Sequence, residues 1–143
     1  MKLKRNIIES FPCEVQLPDN WVEGADNNES FIAVYEESRR HHRWNFCSTA
    51  ALEYRQSFPS MRRPSGWHRV YTVNVSRGGL SFLHSEQLFP QELAEIVFLD
   101  GSTHQIKIVR CCWIQERCFE IGARFITFHD IAQVPAGNMQ QTP

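Results

Sequence analysis

No run of 18 apolar residues occurs in the 143-residue sequence, so nothing in it reads as a membrane-spanning helix. The N-terminal stretch MKLKRNIIESFPCEVQ has too short an apolar run for a signal peptide, and the expected location is the cytoplasm. Cys13, Cys47, Cys111, Cys112 and Cys118 are odd in number and lack framework spacing, which argues against a disulfide-stapled fold and for free thiols, several of them buried. Catalytic signatures are missing as well. There is no Gly-x-Ser-x-Gly, no P-loop ending in Gly-Lys-Ser/Thr, and nothing in the sequence orders Ser76, His68 and Asp100 into a triad. The histidines (His41, His42, His68, His84, His104, His129) form no His-x-x-x-His pair, and no Cys-x-x-Cys is present. Neighbours such as His41-His42 or Cys111-Cys112 cannot both face one site if they lie on strands. The expectation is therefore a non-enzymatic protein with no metal and no cofactor.

What is present is an uneven distribution of charge. The formal net charge is −1, but residues 1–38 carry −5, residues 39–77 carry +7 and residues 78–143 carry −3. The central block contains eight arginines and no lysine. Arginine offers a planar fork that grips a phosphate or a base edge at two points, whereas lysine is a point charge. The block points to a small anionic ligand or a nucleic acid held at one site.

With 42% hydrophobic and 22% charged residues the chain has enough apolar side chains for one folded core. In the first 38 residues, turn-forming stretches precede a candidate helix capped by Ser30 (FIAVYEESRR), which leads into Arg39. From Phe46 onward the texture is short β-branched and aromatic runs between turns. Strands are expected at 46–54, 67–75, 80–84, 93–99, 103–114 and 118–125, with a basic loop, RQSFPSMRRPSG, after the first. Asp100-Gly101 reads as a hairpin turn. In the second strand Tyr71, Val73 and Val75 are expected to share a face, and in the last Phe119, Ile121, Ala123 and Phe125. Trp44, Trp67 and Trp113 are assigned to core or rim packing, although Trp44 is also placed to stack on a purine. The ITFHDI stretch can pack as a short helix. The pattern predicts an all-β fold, a six-stranded antiparallel barrel whose interior is filled by side chains, so that ligands bind at the rim or on the outer wall. The organisation expected is an acidic, partly helical flank over 1–38, a barrel over 39–130 and a flexible tail over 131–143.

Two motifs fall in or at the edge of the arginine block. Arg39-Arg40-His41-His42-Arg43 contains Arg-x-x-x-Arg just before the first strand, and Asn74-Val75-Ser76-Arg77-Gly78-Gly79 contains Asn-x-Ser-x-x-Gly at the end of the second. With the SRGGL phrase, the Asp-Gly turn and the closing FEIGARF, these resemble the PilZ domain, a bacterial family that binds cyclic di-GMP. The resemblance covers roughly residues 39 to 128. Its one departure is a long gap between Arg43 and Asn74, filled by the basic loop.

The resemblance implies a PilZ-type barrel in which Arg39 and Arg43 form a strap and Asn74, Ser76 and Gly79 a floor for cyclic di-GMP. Arg40, Arg77 and Gly78 are added as neighbours of the ligand. The chemistry is consistent with this. A guanine presents O6 and N7 to one arginine for about 1–3 kcal/mol, and a turn with serine and glycines exposes backbone N–H groups to phosphate. The ligand-bound strap would re-pose the acidic N-terminal segment for a separate effector protein. The competing reading is a nucleic-acid-binding barrel in which Arg55, Arg62, Arg63 and Arg69 line a groove. Acidic flanks on both sides argue against a partner as long as a nucleic acid. A PilZ-like scaffold that works without ligand is the third.

Overall fold

The computed structural model describes residues 4–24 and 46–126. Six antiparallel strands close into a barrel: β1 Ser48–Gln56, β2 Trp67–Val75, β3 Gly79–His84, β4 Leu93–Val97, β5 Thr103–Gln115 and β6 Cys118–Phe125. The order around the barrel is β1-β2-β3-β6-β5-β4. All six expected strands form. β1 starts two residues late because Phe46 and Cys47 still belong to the entering chain, and β4 stops at Val97 where Phe98 and Ser102 begin the turn. That turn sets Gly101 at φ 91°, a conformation glycine adopts without penalty. The candidate helix after Ser30, Trp44, the arginines of the first motif and the segment after Ile126 lie outside the described residues.

The interior is built from alternate residues: Ala50 and Leu52 on β1, Val70 on β2, Leu80 and Phe82 on β3, Ala94 and Ile96 on β4, Ile106 and Ile108 on β5, and Ile121 and Ala123 on β6. The face expected for β6 is the one observed. In β2 the expectation needs correction. A bulge between Thr72 and Asn74 shifts the register by one, so Val75 packs on the core while Tyr71 and Val73 face outward. The extra residue reverses the sidedness of everything after it. Asn74 thereby reaches the outer wall, opposite Ser81.

Residues 4–24 wrap the outside of the barrel. A short helix, α1 (Arg5–Ile8), places Ile8 at 0% exposure against Ala51 and Val97, and Phe11 stacks on Trp67. Val15, Leu17 and Trp21 then cover Val73, Leu83 and Cys118, and Trp21 donates its indole N–H to the Thr72 carbonyl at 3.0 Å. The wrap ends where Gly24 N–H donates to the Cys47 carbonyl at 2.7 Å. Three of its four acids are paired: Glu9 and Glu23 with Arg5, and Glu14 with Arg117.

Antiparallel order gives the barrel two different ends. One carries the β2–β3 turn, the entry to β1 and the exit from β6. The other carries the basic loop and a buried polar cluster, in which Tyr54 and His84 share a 2.6 Å hydrogen bond at Nε2 and His68 lies beside both rings. Burial, reinforced by the nearby His68 and Arg63 and opposed by Glu92, holds the His84 imidazole down at about 3, far below its ordinary 6.5. Below pH 6.5 the unfolded chain takes up a proton that native His84 refuses, so stability falls as pH drops from about 6.5 toward 3. Denaturant melts at pH 7, 5 and 4 should show this loss, and His84→Gln, which cannot titrate, should flatten the decline.

Candidate functional site

The second motif forms a tight turn between β2 and β3. Val75 pairs with Leu80, Ser76 N–H donates to the Gly79 carbonyl at 2.8 Å, and Arg77-Gly78 form the two-residue tip. The Ser76 hydroxyl also points at the Gly79 carbonyl, at 3.3 Å. The tip is tied to the last strand by Phe125 N–H donating to the Gly78 carbonyl at 2.9 Å. Arg77 and Gly78 are exposed, and nothing stands within 4 Å of where a Gly78 side chain would begin. Gly79 is different. It is buried against β6, and a Cβ there would lie 2.2 Å from the Ala123 carbonyl oxygen. The first glycine of the pair is open to a ligand; the second is required by strand packing.

Asn74 stands in a row that crosses four strands on the outer wall. It pairs with Ser81 on β3, Ser81 with Gly122 on β6, and Gly122 with Arg110 on β5. A second row places Gly79 beside Arg124 and Arg124 beside Lys107. The motif turn therefore borders a basic strip of β5 and β6 that the sequence reading did not anticipate. Its signal in the sequence was Gly122, since a glycine inside a strand marks a close approach by another group. Register, which the bulges near Thr72 and Val109 alter, decides which group that is.

The first motif, with Arg39, Arg40 and Arg43, lies outside the described residues, but the chain it belongs to enters at this end. Phe46 N–H donates to the Val73 carbonyl at 3.1 Å, one residue from Asn74.

The remaining arginines of the block are mostly engaged within the fold. β1 and β4 pair Glu53 directly with Glu95, and Arg55 contacts both carboxylates. Arg63 holds buried Glu92 at 2.7 Å and donates to the Gln87 carbonyl, pinning the basic loop at the barrel end opposite the motif turn. Arg69 donates to the Glu9 carbonyl at 2.7 Å under the N-terminal wrap. Arg55 and Arg63 thus pair with carboxylates of the fold and Arg69 is held by the N-terminal wrap, so two of the four arginines in the groove of the nucleic-acid reading are matched by acids of the protein itself.

Among the described residues no three His, Cys, Asp or Glu side chains converge as metal ligands, and no helix is long and apolar enough to cross a membrane. Cys118 is buried, Cys111 half-buried and Cys112 exposed. Trp67 packs as expected, but Trp113, assigned to core or rim, is 65% exposed because β5 continues past its last rung with β4 at Leu93–Lys107.

A closed six-stranded antiparallel barrel with a packed interior and a polar turn on its rim defines a small all-β barrel module. The chain belongs to the PilZ domain family, whose model matches residues 37–134. This is a family of typically non-enzymatic receptors for cyclic di-GMP. Searches of curated proteins and of solved structures each found no match.

Proposed function

We propose that this protein is a cytoplasmic receptor for cyclic di-GMP, gripped between the arginine strap and the β2–β3 turn. The observation that supports the reading is the hydrogen bond from Phe46 to Val73, which sets the entry to β1, three residues after Arg43 in sequence, at the end of the barrel where Asn74, Ser76 and Gly79 stand. Arg39 and Arg43 supply the forks for guanine edges and phosphate. Asn74 and Ser76 add short polar contacts, Arg77 and the Gly78 backbone approach from the tip, and Arg40 stands beside them. Gly79 serves the site by letting the turn sit close against β6.

Ligand binding moves residues 38–45 against the turn and re-poses the acidic residues that precede them, for recognition by a separate effector protein. Residues 4–24 stay with the barrel, because their apolar side chains are buried on its wall. The test is titration calorimetry of the full chain with cyclic di-GMP. The wild type should release heat with saturable binding. Arg43→Ala should lose at least ten-fold in affinity, and Ser76→Ala a smaller amount, about the 1 kcal/mol of one hydrogen bond. No heat with the wild type, or equal binding by Arg43→Ala, overturns the reading. Salt-dependent binding of random single-stranded oligonucleotides in its place would favour the nucleic-acid alternative.

A further inference from the structure

Arg110 comes from β5, two strands away from the motif turn, yet its side chain points toward it. It lies flat across β6 at the one position where that strand has no side chain: a Cβ on Gly122 would stand 2.7 Å from Arg110 Cγ and 2.8 Å from its Nε. Beyond Gly122 the guanidinium reaches Ser81, donating from Nη2 to Oγ at 3.4 Å. Ser81 is the cross-strand partner of Asn74, so the charged head arrives within one strand of the motif. This is a specific route. Any residue larger than glycine at 122 would block it, and the residue remains exposed despite its contacts.

Among the described residues, the side-chain contact made by that head is a single long bond to a neutral hydroxyl, and no carboxylate pairs with it. A planar cation with N–H groups left over, beside a hydroxyl and a carboxamide, is suited to a phosphodiester oxygen. We infer that Arg110 is a third arginine of the ligand site, delivered across Gly122 to hold one phosphodiester of the bound cyclic dinucleotide. The inference rests on the cyclic di-GMP reading and extends its site from the turn onto the outer wall of β3, β6 and β5. Arg110 approaches Asn74 from the β5 side, across Gly122 and Ser81.

Calorimetry with cyclic di-GMP on four variants of the full chain tests it. Arg110→Gln keeps the first part of the stem over Gly122 and removes the guanidinium with its charge, which protects the fold. It should bind about ten-fold more weakly, and its affinity should depend less on salt than that of the wild type. Gly122→Ala retains the arginine and displaces it, and should weaken binding to a similar degree while its thermal melt stays close to the wild type's. Arg110→Ala should match Arg110→Gln. Arg43→Ala is the control for the parent reading. If Arg43→Ala fails to bind while Arg110→Gln and Gly122→Ala bind like wild type, the clamp stands and the role of Arg110 is refuted. If the wild type itself gives no binding, both fall.

Discussion

Arg63→Ala is expected to lower the free energy of unfolding by about 3–5 kcal/mol, a large share of the stability of a domain this size. The reason is Glu92, which is almost fully buried. Its carboxylate receives Arg63 through both Nε and Nη2, the Ser57 hydroxyl at 2.7 Å and the Phe89 N–H at 2.8 Å. Burial pushes the Glu92 carboxyl up, but the bonds from Arg63, Ser57 and Phe89 outweigh it and hold the group below its ordinary 4.5. A carboxyl lowered on folding contributes stability above that ordinary value and loses it as pH falls through the lowered one. Without Arg63 the carboxylate is left buried and uncompensated, and its value should rise. The acid sensitivity then changes sign, so Arg63→Ala should regain part of its stability as pH falls from the raised value toward the ordinary 4.5. The pair Arg63→Met with Glu92→Leu, apolar on both sides, should recover most of the loss. Urea melts of the wild type and the two variants across pH measure all of this. A loss under 1 kcal/mol for Arg63→Ala would show that the ion pair does not hold the loop.

Gly79→Ala should cost about 3 kcal/mol, and Gly78→Ala, next to it, no more than about 0.5 kcal/mol. The added methyl at 79 meets backbone on two sides, the Ala123 oxygen at 2.2 Å and the Arg124 Cα at 3.0 Å, and neither can swing away as a side chain would. Relief requires β3 to separate from β6, which strains the Phe125–Gly78 bond that fixes the turn. At the slope usual for about 100 residues, the first variant should melt roughly 10–20 °C lower. Gly78→Ala should melt like the wild type, so any fall in its ligand affinity reads the site alone. Thermal melts that failed to separate the two variants would contradict the packing described for β3 and β6.

The barrel was legible because its strands alternate and its turns are punctuated. β2 and β6 have the expected limits, and the core face of β6 is Phe119, Ile121, Ala123 and Phe125. Two kinds of information were not legible. One is the bulge before Asn74, which has no glycine to mark it and which sends Val75 inward and Asn74 outward. The other is partnership at long range. Arg55, Arg63 and Arg69 read as unassigned positive charge until Glu53 and Glu95, Glu92, and the Glu9 carbonyl stand beside them. Arg110 lies outside the arginine block, and only register shows that it meets Gly122. The N-terminal wrap was missed because it is fixed by isolated anchors, Ile8, Phe11 and Trp21, without a periodic pattern.

The bond between Gly24 and Cys47 gives that wrap a further meaning. The described chain leaves the barrel at Gly24 and returns to it at Phe46 and Cys47, so residues 25–45, which carry Arg39 and Arg43 in sequence, are fixed at both ends. Closing a loop has an entropic cost that grows only slowly with its length, and the wrap meets that cost when it docks on the barrel wall. The placement of both ends is therefore a property of residues 4–24 as much as of the barrel itself.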